Sequence, residues 1–291
     1  MSEIVKYQND FNKLKMTSFN AMDLNVLMKI CVELNKFDEL KIEIPFEEIK
    51  ASIKYAGHKA KFITLLSEIC KKVGCLEMWT EDGFEQIYLF KKIKGIKSRE
   101  VLIIEVNKEY LSFFKELQKQ FTSFLLEDFV RLEGKYAKNL YRLLMQWKTK
   151  GHCPTEHKEK FFSIDEIRGF LNAPNDYAVK YLTDDVLKPA VTEINEKGLL
   201  KNLELVVHKA KKRGSPVVGY SFNFEAFTQL TQEQKKAIEH KKAGDYKPTE
   251  ELKKESKSKK NSFNNYDQRN YSKEELAEME QKLLRKNRNL V

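Results

Sequence analysis

Two stretches of this chain collect cations with no acid between them. Lys91, Lys92, Lys94, Lys97 and Arg99 form one. Lys209, Lys211, Lys212 and Arg213, just ahead of Gly214-Ser215-Pro216, form the other. Such side chains in a turn neutralise phosphates and release the counterions condensed around a nucleic acid. A helical segment precedes each stretch and carries groups able to donate to phosphate oxygens or base edges. His58, Lys59, Lys61 and Thr64 precede the first; Lys180, Tyr181, Thr183, Lys188 and Thr192 precede the second. An isolated surface lysine is ordinarily a solvated cation, but two acid-free basic turns, each behind such a helix, point to DNA. Base discrimination mostly uses Arg, Asn or Gln in a groove. The second helix offers mainly Asn195 near its end, so base contacts stay unassigned.

Other chemistries find less support. His152-Cys153-Pro154-Thr155-Glu156-His157 lacks the paired spacing of a zinc ribbon or finger and reads as a polar loop, so no metal and no cofactor is expected. No phosphate loop, no Gly-x-Ser-x-Gly elbow and no histidine pair separated by one residue occurs, and a non-enzymatic protein without catalytic residues is expected. Cys31, Cys70, Cys75 and Cys153 have unrelated spacings, which favours a reducing cytoplasm over a disulfide framework. Cys70 and Cys75 flank a helix–strand turn and read as buried apolar residues. The longest wholly apolar stretches are Ile87–Phe90 and Val101–Ile104, against roughly 20 residues for a membrane-spanning helix. The start, Met1-Ser2-Glu3-Ile4-Val5-Lys6, has no apolar core of a secretory signal. No membrane partner is expected.

The elements that must position the cations can be read from period and punctuation. The 291 residues, 41% apolar and 33% charged, have room for two cores of ordinary size. Asn20 precedes Leu24, Leu27, Met28, Cys31 and Leu34, which lie on one helical face. Pro45 opens a short helix over 46–53, and Lys59 to Val73 forms a third, stopped by Gly74. Leu76–Trp79 and Phe84–Tyr88 alternate as strands around Asp82-Gly83. Lys91 to Arg99 then reads as a turn, Val101 to Val106 as the returning strand, and Asn107 as the cap of a helix reaching about Gln118. The order recurs: a helix over 135–148, a capping box Ser163-Ile164-Asp165-Glu166 opening a helix through Leu171, and a third helix ending at Glu196. Pro189 there either sits in a first turn begun near Lys188 or kinks a helix begun near Thr183. Strands around Leu203–Val207 and Val218–Phe224 flank the second basic turn. Phe46-Glu47-Glu48-Ile49-Lys50 echoes Ile164-Asp165-Glu166-Ile167-Arg168. Three helices followed by a hairpin with a basic loop is the order of a winged helix-turn-helix.

The expected fold class is therefore α+β, mostly helical, with two tandem winged-helix domains and a basic C-terminal tail. The expected boundaries are 1–119, 120–230 and 231–291. The first domain would serve dimerisation and DNA contact, and the second would be the main DNA reader. The tail holds sixteen Lys+Arg and eleven Asp+Glu, half of the chain's net +10, and reads as largely disordered. A short helix is expected within it at 272–286, opened by Ser272-Lys273-Glu274-Glu275.

Three segments carry a resemblance. Glu3-Ile4-Val5-Lys6-Tyr7-Gln8-Asn9-Asp10-Phe11-Asn12-Lys13-Leu14 is similar to the opening of the RepB/RepE-type replication initiators of theta-replicating plasmids. Lys135-Tyr136-Ala137-Lys138-Asn139-Leu140-Tyr141-Arg142-Leu143-Leu144 resembles their central signature. Val186-Leu187-Lys188-Pro189-Ala190-Val191-Thr192-Glu193-Ile194-Asn195 resembles a segment of their second reading helix. The resemblance covers about residues 3–227. It implies binding to directly repeated double-stranded DNA sites (iterons) at a plasmid origin, aid in opening the duplex, and recruitment of a host helicase or initiator. It also implies a monomer–dimer equilibrium, with autorepression by the dimer. It places Lys135, Lys138 and Arg142 near the DNA backbone. The rival readings are a winged-helix transcriptional regulator and a basic structural or interaction protein.

Overall fold

The computed structural model describes residues 3–227 except 37–38, 81, 116–119, 155–159 and 212. The described residues belong to one compact unit, Met1–Gln229. The expected tail and its helix at 272–286 lie outside them.

The chain opens with β1 (Ile4–Gln8) and a 3-10 turn (Asn9–Lys13) before α1 (Ala21–Lys36). Asn20 starts that helix by a reciprocal cap. Its Oδ1 accepts from the Asp23 N–H, and Asp23 Oδ2 accepts from the Asn20 N–H, each at 2.9 Å. β2 (Lys41–Pro45) leads directly into α2 (Phe46–Ser52), with Pro45 at the cap, and α3 (Lys59–Gly74) comes next. The Asp-Gly hairpin forms β3 (Leu76–Thr80) and β4 (Gly83–Ile87), a separate two-stranded ribbon. β5 (Phe90–Ile96) and β6 (Val101–Val106) complete a sheet of order β2-β6-β5.

Two expectations change here. Lys91–Ile96 is strand and not turn, so only residues 97–100 make the tip. A β-bulge between Phe90 and Lys92 breaks the period-two pattern by which a strand shows itself. Asn107 does cap, accepting from the Glu109 N–H at 3.3 Å, but it opens a 3-10 turn (Lys108–Phe113) in place of a longer helix.

β7 (Phe121–Leu125) pairs antiparallel with β1, Ile4 opposite Leu125, and leads into α4 (Leu126–Arg131). The second three-helix set is α5 (Lys135–Met145), α6 (Ile164–Leu171) and a third helix made of α7 (Val179–Tyr181), a π segment (Leu182–Leu187) and α8 (Lys188–Glu196). The Ser163 capping box forms in both directions. β8 (His152–Cys153), β9 (Phe162–Ser163), β10 (Glu204–Lys209) and β11 (Val217–Asn223) make the sheet, with β11 central between β10 and the short strands. In both sets the last strand is central, between the strand before it and the one leading into the second helix. The echo between residues 46–50 and 164–168 thus falls on the equivalent helices α2 and α6.

A buried polar cluster joins the N-terminal segment to α5 and its surroundings. Arg142 Nε donates to the Tyr7 hydroxyl (3.0 Å) and its Nη2 to the Phe11 carbonyl (3.3 Å), while Tyr7 donates to Asn12 Oδ1 (3.0 Å). Asn12 Nδ2 donates to Thr122 Oγ1 at 3.1 Å. Asn172, left-handed at φ 54° after α6, accepts from the Met16 N–H. The start of the chain is thereby tied both to β7 and to the second three-helix set.

Candidate nucleic-acid interface

The third helix of the second set runs on through Pro189. Proline lacks the N–H for the carbonyl four residues back, Asp185, and its ring crowds that carbonyl. The wider π turn over Leu182–Leu187 accommodates both effects, so neither a fresh start at Lys188 nor a break is needed. Leu182, Val186, Leu187, Ala190, Val191 and Ile194 point inward. The opposite ridge exposes Lys180, Tyr181, Asp185, Lys188 and Thr192.

Of the expected contacts on this helix, Lys180, Tyr181, Lys188 and Thr192 are exposed, with Lys188 held by Asp184 at 2.7 Å. That lysine holds the Asp184 carboxyl below the usual carboxylate range. Tyr181 stands edge-on against Tyr177, ring centres 4.6 Å apart. Thr183 is turned inward: its hydroxyl is within 2.8 Å of the Val179 carbonyl and 2.7 Å of the Tyr220 hydroxyl. Asn195 is also spent, bonding the Leu203 carbonyl (2.8 Å) and N–H (3.2 Å), so it is not free to read a base. Glu193 accepts from the Gly134 N–H at 3.2 Å and caps α5.

The β10–β11 turn, which follows this helix in the chain, is closed by the Ala210 N–H on the Pro216 carbonyl at 2.9 Å, with Gly214 at φ +81°. Lys209, Lys211 and Arg213 are exposed and make no ion pair among the described residues. Lys212 lies outside them.

The first set repeats the arrangement. On α3, Lys59 occupies the first turn and Lys61 and Thr64 are exposed; His58, also exposed, precedes them. Lys92, Lys94, Lys97 and Arg99 are exposed along β5 and its tip. Arg99 pairs with Glu43 at 2.6 Å and Lys91 with Glu105 at 2.9 Å, the latter holding the Glu105 carboxyl below its ordinary range. Lys92, Lys94 and Lys97 form no ion pair among the described residues.

Two of the three residues singled out on α5 are interior. Lys138 is fully buried: its Nζ donates to the Phe129 carbonyl at 2.6 Å and lies 4.5 Å from the centre of that ring. Burial pushes its amine down to about 7, against the pull of Glu193 and Glu133. Arg142 is buried in the polar cluster, its guanidinium 5.5 and 5.6 Å from the Tyr7 and Phe11 ring centres. Both are corrected from DNA-facing to interior, because each lies on the inward side of a helix covered from both sides. Lys135 is half-buried over Tyr136, 4.7 Å from the ring centre.

Cys70 is half-buried, but Cys75 is exposed, against the expectation for both. Cys153 is buried on β8, His152 Nδ1 is 2.6 Å from Asn223 Oδ1, and Thr155, Glu156 and His157 lie outside the described residues. Among the described residues no group of three His, Cys, Asp or Glu could hold a metal ion, and no helix is long and apolar enough to cross a membrane.

Sequence reading missed the β3–β4 ribbon as a surface. It exposes Trp79 and Phe84, ring centres 5.6 Å apart, and no Lys or Arg occurs from residue 73 to 90. The absence of cations was the available signal that sets this hairpin apart from the two basic turns.

Two three-helix sets, each with a third helix bared on one ridge and followed by a hairpin with an exposed basic tip, define a tandem winged-helix DNA-binding protein. Residues 4–145 match the family described as initiator replication protein, WH1, and residues 163–224 match initiator Rep protein, WH2. The chain belongs to this family of replication initiator proteins. It is 29% identical over 229 residues to a probable replication protein rep of Bifidobacterium longum (strain NCC 2705), covering 77% of this chain and 73% of that one. Its fold is similar to that of the Pi initiator protein, solved in complex with iteron DNA. The TM-score is 0.61 at 17% identity, covering 78% of this chain and 99% of that chain.

Proposed function

We propose that this chain initiates plasmid replication by binding repeated double-stranded sites at an origin, without enzymatic activity of its own and in the bacterial cytoplasm. The observation that carries the reading is the pairing, found twice, of a bared third-helix ridge with an exposed basic turn. Cations of the turns supply salt-dependent affinity to phosphates, and the ridges supply register in the major groove. Lys59, Lys61, Lys92, Lys94, Lys97 and Arg99 serve the first module, with Lys180, Tyr181, Lys188, Thr192, Lys209, Lys211, Lys212 and Arg213 serving the second. The first module further supports self-association, and the protein–DNA complex recruits a host helicase or initiator. We place the functional boundary between the modules after α4, because β7 pairs with β1.

Purified protein should prefer the repeat-bearing DNA upstream of its own gene over random duplex by about 1,000-fold, with a steep fall in affinity as salt rises. Equal, weak binding to both would reduce the basic surface to generic polyanion attraction. A plasmid carrying those repeats should replicate only with the chain supplied; repression without replication would make it a transcriptional regulator.

A further inference from the structure

The ridge of the second reading helix carries a carboxylate with nothing to hold it. Asp185 is exposed midway along it, between Tyr181 one turn before and Lys188 and Thr192 after. It forms no ion pair or side-chain hydrogen bond among the described residues. Its neighbours do not explain it. Lys188, three residues on, is taken by Asp184, and the residue four on is Pro189. Nor does it offset a helix dipole, since the helix begins six residues earlier at Val179 and the effect fades within a turn. Glu68 on α3 stands the same way, exposed between Thr64 and Lys71 with no partner among the described residues.

A free carboxylate on a face turned to DNA raises the energy of every complex in which it meets phosphates or acceptor edges. That cost is offset where a base donates to it. In the major groove the donors are the N4 amino group of cytosine and the N6 amino group of adenine; guanine shows O6 and N7, and thymine O4, all acceptors. Adenine sets its N7 acceptor beside N6, where it repels the second carboxylate oxygen, whereas an amide can satisfy both. A carboxylate thus favours cytosine and an amide favours adenine.

We infer that Asp185 is a specificity-determining residue, accepting a hydrogen bond from the N4 amino group of a cytosine at one fixed position of each DNA repeat. The inference rests on the proposed reading of DNA by this helix. Its action is largely exclusion: it makes the wrong sites worse, which the surrounding lysines alone cannot do.

The test selects binding sites from a randomised duplex pool with the full chain, wild type against Asp185→Ala and Asp185→Asn, and then measures affinities for the selected site and its single-base variants. Wild type should enrich a site with cytosine at one position, preferring it about tenfold over the other bases. Asp185→Ala should lose that preference and bind random duplex more tightly. Asp185→Asn should move the preference at the same position to adenine. If all three proteins select the same site with the same base ratios, the assignment is wrong while DNA reading stands. If wild type enriches no site at all, the DNA-reading proposal and this assignment fail together.

Discussion

Lys138 is a cation removed from solvent that donates to the Phe129 carbonyl, and its consequence is energetic. Burial pushes the amine down to about 7 in the folded chain, whereas the unfolded chain has a lysine's ordinary 10.5. Between those values the unfolded state holds more protons than the folded one, so this group makes stability rise with pH from about 7 to 10 and leaves it flat below. Lys138→Met keeps the length, removes the charge and should be neutral to about 2 kcal/mol more stable at pH 7. Urea unfolding at pH 7 and pH 9 checks this: the rise with pH should be smaller in the variant. The buried thiol of Cys31 and the half-buried thiol of Cys70, pushed up to about 12 and about 11, act in the opposite sense above pH 9. They are present in both proteins, so the difference isolates the lysine. An equal rise in both proteins would assign the pH dependence to other groups. At this scale the sequence was a poor guide, since spacing alone put Lys138 and Arg142 on a helix without saying which side of it is covered. The wing residues Lys209, Lys211 and Arg213 were legible, because a turn after two alternating strands leaves its side chains nowhere to be buried.

Among the elements, helices with caps were legible to within a residue or two, as Asn20, Pro45 and Ser163 illustrate. Each supplies or excuses a backbone hydrogen bond that a helix end would otherwise lack. β5 was not, because its bulge and its lysines hide the strand period that Leu102, Ile104 and Val106 display on β6. The third helix of the second module was ambiguous for a different reason: a π turn has no signature in residue type, and only its companion Pro189 hinted at it. That turn has a further role. Spacings of four, seven and eleven residues would already put Tyr181, Asp185, Lys188 and Thr192 on one face of an unbroken α-helix, so the π turn instead sets how far Lys188 and Thr192 are rotated relative to Tyr181 and Asp185. Pro189→Ala restores the missing N–H and removes the ring that keeps the Asp185 carbonyl away. The variant should stay within about 1 kcal/mol of wild type in thermal stability, because a relaxed α turn is itself a good structure. Its preference for repeat DNA over random duplex should nevertheless fall by roughly tenfold, since misplacing one bidentate-quality base contact costs on that order. Affinity for random duplex should hardly move, as the wing cations are untouched. A variant with unchanged preference would show that the π turn serves packing alone.

For the whole molecule the question is where its charge acts. The chain's +10 divides evenly, +5 before residue 231 and +5 after it. Only part of the first half is free to meet phosphates, because Arg99, Lys91, Lys188 and several others are already paired with acids, and Lys138 and Arg142 are interior. Specific binding should therefore depend on few cations, concentrated in the wings, while the tail adds affinity for any DNA. Salt titrations of three proteins separate these contributions: the full chain, residues 1–229, and residues 1–229 with Lys211, Lys212 and Arg213 all replaced by Ala. Residues 1–229 form one unit whose buried Tyr7–Arg142 and Met16–Asn172 contacts tie distant segments together, so the truncated chain should unfold in one cooperative step. It should keep its preference for repeats while its affinity for random duplex falls. The triple replacement should flatten the salt dependence further, by up to about three phosphate equivalents on both kinds of DNA. An unchanged slope would take the β10–β11 turn off the DNA. Loss of the repeat preference on truncation would instead give the last sixty or so residues a part in recognition.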